Sequence, residues 1–201
     1  MGVAAVIALA VVLRGQHRDQ VAADAVRDRR LVAAEVTRLH RVQAPHRGEG
    51  PALRPAPGAT AAERLRARAA LVGAVRASIL RDARGRAAAG ELEGPILKVT
   101  CGTIARDPAA VPDDRVLARR VGRYDCLAVR TSTATATGRS ADLGYPFVAA
   151  LDFTRFTYVW CRNTPPQGER GVALAQVRLA RACLAARGRA LGTGYAVVPG
   201  D

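Results

Sequence analysis

Four cysteines, Cys101, Cys126, Cys161 and Cys183, are the residues best able to do chemistry here, and all lie in the second half of the 201-residue chain. The three histidines, His17, His40 and His46, lie in the first quarter. No histidine stands near a cysteine in sequence, so neither a Cys–His nucleophile pair nor a mixed Cys/His metal site is legible. The cysteine intervals of 25, 35 and 22 residues lack the close pairs that preorganise a zinc site or lower a thiol pKa. A disulfide framework remains, and it places the domain outside a reducing cytosol. Three connectivities are possible. Cys101–Cys126 with Cys161–Cys183 is preferred, because each bridge ties a strand to its sequence neighbour.

Two further groups invite a chemical reading. Asp125 and Asp152 are the carboxylates that a glycosidase-like pair would need, although isolated aspartates at strand ends usually serve turns or ion pairs. The aromatic run from Tyr145 to Trp160 reads first as a core hairpin. As a ligand surface it would offer Tyr145, Tyr158 and Trp160 for stacking, with Arg155 and Arg162 gripping an acidic or glycan ligand. No catalytic, cofactor-binding or metal-ligating residue is assigned.

The elements that must position these groups follow from patterning. Gly2 to Leu13 are apolar or small, but twelve helical residues rise only about 18 Å against a hydrocarbon core of about 30 Å. Residues 1–18 are read as an apolar membrane anchor whose beginning lies upstream of Met1. Residues 19–43 read as a helical stalk with a thin Val/Ala stripe, and 44–59 as a Pro/Gly-rich linker. His40 and His46, on either side of Pro45, do not have helical metal-pair spacing.

Thr60-Ala61-Ala62-Glu63 is a capping-box signature. It opens a helix running to about Ala89, stopped by Gly90, with Leu65, Ala69, Val72, Val75, Ile79 and Ala83 as its apolar face. Arg64, Arg68, Arg81 and Arg84 are expected on the solvated side. Beyond Gly94-Pro95 the period changes to two. Strands are expected over Ile96–Thr103, Gly122–Thr137, Tyr145–Asp152 and Phe156–Cys161, the last two as a hairpin. Gly138–Gly144 is read as a turn, Asp107–Arg120 as a loop or short helix, and Val172–Leu179 as a last strand or a helix. The expected fold is α+β: a long helix on a four- to five-stranded antiparallel sheet, in cystatin-like or nuclear-transport-factor-like order, over residues 60–186. Residues 187–201 read as a tail.

The net charge of +14 comes almost wholly from arginine, Lys98 being the single lysine. The basic excess is spread along the chain in proportion to length. A nucleic-acid footprint is usually a clustered patch with stacking aromatics, so this distribution argues against nucleic acid as the partner.

The segments Tyr124-Asp125-Cys126, Gly144-Tyr145-Pro146-Phe147 and Tyr158-Val159-Trp160-Cys161 resemble membrane-anchored extracytoplasmic domains of high-GC bacteria, over roughly residues 60–183. The resemblance implies location and disulfides but no activity. The functional expectation is a single-pass, membrane-anchored, non-catalytic binding or structural module, its C-terminal domain outside the cytoplasm. The competing readings are a basic cytoplasmic nucleic-acid-associated protein with free thiols, and a carboxylate-based hydrolase.

Overall fold

In a computed structural model of the chain, the structure describes residues 2–104, 111–134, 140–163 and 180–183. Helix α1 (Gly2–Val42) is continuous through the expected anchor and stalk. Strand β1 (His46–Glu49) and a short 3-10 turn (Pro51–Leu53) lead to helix α2 (Ala61–Ala88). Strands β2 (Lys98–Thr103), β3 (Val121–Ala134), β4 (Ser140–Asp152) and β5 (Thr157–Arg162) follow, with a 3-10 turn at Asp113–Arg115 between β2 and β3. The sheet is antiparallel throughout, in the order β1-β5-β4-β3-β2, so the molecule is the expected α+β fold.

α2 begins where its capping residues dictate. The Thr60 hydroxyl accepts the Glu63 N–H at 3.3 Å while the Glu63 carboxylate accepts the Thr60 N–H at 2.7 Å. Two orphan helical donors are satisfied reciprocally, which fixes the first turn. The helix lays Leu71, Val72, Val75, Ile79 and Ala83 on one face of the sheet. The strands answer with period two: Tyr124, Cys126 and Ala128 from β3, Tyr145, Phe147, Ala149 and Leu151 from β4, and Trp160 from β5. On the other face Val148 and Cys161 are buried against Cys183.

The two disulfides, Cys101–Cys126 and Cys161–Cys183, have the expected sequential pairing and sit on opposite faces of the sheet. Cys101 and Cys126 are directly opposed across β2 and β3, with Cα atoms 4.0 Å apart. Cys161–Cys183 ties the short helical segment at 181–183 to β5.

Four expectations are corrected. The Pro/Gly-rich stretch over 44–59 contributes the fifth strand: β1 pairs with β5, His46 opposite Trp160 and Gly48 opposite Tyr158. Gly48 suits this site because a Cβ there would fall on the Tyr158 ring. Next, residues 140–144 are strand rather than turn. Gly144 faces Val129 beside a bulge in β3, where a Cβ would meet the Ala128 carbonyl, so glycine marks a close approach of two strands.

Arg68 is not on the solvated side of α2. It is buried, its guanidinium donating to the Val116 and Leu117 carbonyls at 2.7 and 2.9 Å and lying 4.6 Å over the Phe153 ring. Ala69, expected in the core, is exposed, and Leu71 takes the buried position. No helix among the described residues is long and apolar enough to cross a membrane, in keeping with the short rise expected of Gly2–Leu13. The strand or helix expected over Val172–Leu179 lies outside the described residues, as does the C-terminal tail.

Candidate functional site

The residues read as a ligand surface are divided by the fold. Tyr145 is buried under α2, its hydroxyl donating to the Glu93 carbonyl and accepting the Glu93 N–H, at 3.1 and 2.8 Å. Trp160 is buried beside it and donates Nε1–H to Ser78 Oγ at 3.0 Å, locking β5 to α2. Tyr158 is half-buried over Gly48, and Arg155 is exposed in the β4–β5 turn. Arg162 is buried at the end of β5, its guanidinium 5.3 Å from the Tyr145 ring centroid.

Asp125 and Asp152 share the sheet face away from α2 but stand four strand positions apart in the β3–β4 register. That is about 13 Å along a strand, beyond the separation of a glycosidase pair. Asp152 is also engaged: its carboxylate accepts the Thr154 hydroxyl and the Thr154 and Arg155 N–H groups at 2.5 to 2.9 Å. Asp125 lines a 250 Å³ hollow with Thr100, Gly102 and Asn163.

The arrangement with most chemical content is a cleft of about 500 Å³ where the end of α1, the start of β1 and the C-terminal half of α2 meet. Arg38 and Arg41, three residues apart on one face of α1, form one wall. Asp82, Arg86 and Glu91 form the other, and His46 closes one end. The end of α1 is seated by Leu39 and Gln43, both buried, whereas residues 16–34 of the same helix are exposed.

Two of the guanidiniums are held by carboxylates. Glu35 grips Arg38 in a fork, Nε and Nη2 each donating at 2.8 Å, and Glu91 accepts Arg86 Nε at 3.0 Å. The hydrogen bonds from Arg38 hold the Glu35 carboxyl below the usual carboxylate range. Arg41 is exposed, and its guanidinium makes no hydrogen bond or ion pair among the described residues. Below the cleft, burial lowers the Arg162 guanidinium to about 9, with Arg86 and Arg38 adding to the shift and Tyr145 opposing it. Among the described residues, the cleft and the layer below it bring Arg38, Arg41, Arg86 and Arg162 together with Glu35, Asp82 and Glu91.

His46 has one ring face on the Trp160 indole, centroids 4.0 Å apart and planes 1° from parallel, and its side chain is otherwise exposed to the cleft. Sequence reasoning missed this site. Arg38 and Arg41 at helical spacing just before His46 were the available signal, but nothing local places them opposite residues 82–91.

The site so defined is that of an α+β domain with an arginine-rich cleft. No protein-family model matches the chain, and comparisons with curated proteins and with solved structures find no match.

Proposed function

We propose that this chain is a non-catalytic binding module of a bacterial cell envelope, membrane-anchored through its N-terminal apolar segment, with its α+β domain outside the cytoplasm. The observation that carries the reading is the pair of disulfides, one on each face of the sheet. Such cross-links persist in oxidising compartments and are rare in a reducing cytosol. Each closes a loop of more than twenty residues, contributing about 3 kcal/mol in the chain-entropy account. A domain whose core relies on alanine at Ala83, Ala128 and Ala149 gains from that constraint. The N-terminal run Gly2–Leu13 supports attachment at a membrane.

The test is fractionation of cells producing the native protein, followed by peptide mapping without reduction. The expected result is recovery with the membrane, with peptides linked as Cys101–Cys126 and Cys161–Cys183. Soluble recovery with four alkylatable thiols would favour the basic cytoplasmic protein instead.

A further inference from the structure

We propose that the cleft between α1, β1 and α2 binds a sugar carrying one anionic group, a uronate or a sugar phosphate; this rests on the reading of the domain as a binding module. Four observations point to that ligand. The volume of about 500 Å³ suits a mono- or disaccharide and lies within the ordinary range of small-ligand sites.

The charge is the second. Glu35 and Glu91 fix the forks of Arg38 and Arg86, so these guanidiniums are positioned before any ligand arrives. Arg41 brings a guanidinium whose five donors are not engaged within the described residues, a geometry suited to carboxylate or phosphate oxygens. Arg38 and Arg86 each carry a carboxylate and Arg41 carries none among the described residues, which matches a single anionic group rather than a polyanion.

The third observation is the His46–Trp160 stack, which presents a flat, supported ring face at one end of the cleft. A pyranose offers an apolar C–H face to such a ring. The fourth is Asp82, half-buried in the cleft wall, whose carboxylate makes no hydrogen bond among the described residues. It is an acceptor for sugar hydroxyls, which an inorganic anion lacks.

Trp160 is the single tryptophan of the chain and lies against His46, so its emission reports on the cleft. The full chain, oxidised, is titrated with glucuronate, glucose 6-phosphate, glucose and inorganic phosphate. The expected result is a saturable change with at least one of the two anionic sugars. Which of them binds tighter assigns the source of the anion. Glucose and inorganic phosphate should each bind at least about tenfold more weakly, and Arg41→Gln should weaken the anionic sugar about tenfold or more, as loss of a charge-assisted contact does. Because Arg41 is exposed, this variant keeps the fold. His46→Ala should weaken the anionic sugars while leaving the weak phosphate response in place; binding is followed calorimetrically for this variant.

No saturable response to either anionic sugar, equal binding of glucose or phosphate, or an unchanged Arg41→Gln would overturn the site. Those failures leave the module reading standing if the chain is membrane-bound and disulfide-linked. A soluble chain with reduced cysteines defeats the module reading whatever the titration gives.

Discussion

His46 and Trp160 face each other across β1 and β5 with ring centroids 4.0 Å apart and planes within 1° of parallel. One belongs to a four-residue edge strand and the other to the buried core, so the stack is the point where the two join. It also covers the indole that hydrogen-bonds α2 through Ser78. Strand, helix and cleft therefore share one pair of rings.

The same joint makes glycine at 48 necessary. Gly48→Ala puts a methyl group on the Tyr158 ring, and we expect a loss of about 1–3 kcal/mol as β1 is pushed from β5. Gly73→Ala, on α2 with nothing within 4 Å of the new methyl, should gain about 0.5–1 kcal/mol by its better helix propensity. Chemical denaturation of the two variants checks the opposite signs, and a red shift of Trp160 emission should accompany Gly48→Ala alone.

Arg68 joins α2 to the loop before β3 through the Val116 and Leu117 carbonyls. Arg68→Ala removes two charge-assisted bonds and the cover over Phe153, for an expected loss of about 2–4 kcal/mol. Arg68→Lys should not restore it, because one ammonium cannot reproduce the two-pronged fork. Arg81→Ala, on the exposed side of the same helix, should stay within about 0.5 kcal/mol of the parent. Thermal melts of the three variants separate these outcomes.

Arg162 carries a pH signature. Burial, with Arg86 and Arg38 nearby, lowers its folded pKa to about 9 from the ordinary 12.5. Between those values the unfolded chain holds a proton that the folded chain has released, so this group makes stability rise with pH above about 9. Below that it contributes no slope. Tyr124 acts in the opposite sense: burial, then Asp114, raises its folded pKa, so stability falls with pH above the ordinary tyrosine range. The difference in unfolding free energy between the parent and Arg162→Met, which retains Tyr124, should therefore shift in favour of the parent from about pH 9 upward. A pH-independent difference would rule out this account of Arg162.

Asp152 anchors the turn between β4 and β5, where Phe156 adopts a positive φ of 54°. Burial tends to raise its pKa, but the Thr154 hydroxyl and the N–H groups of Arg155 and Thr154 outweigh it and hold the carboxyl below its ordinary value of 3.8. Its contribution is present above that ordinary value and is lost as pH falls through the depressed one. Asp152→Ala should cost about 1–2 kcal/mol at neutral pH, and the difference from the parent should shrink on acidification below the ordinary carboxylate range. Urea titrations at neutral and acid pH measure both.

What the amino-acid order determined was local. The Thr60/Glu63 box and Gly90 bound α2 because capping acts within a turn. Alternation placed β3 and the β4–β5 hairpin because successive side chains of a strand must face opposite ways. The two disulfides were legible because each joins elements adjacent along the chain. Tertiary structure decided the remainder. A glycine has the same signature whether it turns a chain or lets two strands approach, so Gly48 and Gly144 acquired meaning only from Tyr158 and Ala128. Arg68 points inward because carbonyls from residues 116 and 117 await it, not because of its place on the helix. The arginine cleft joins residues 38–46 to residues 82–91, with Arg162 below, and contacts over such separations leave no periodicity to read.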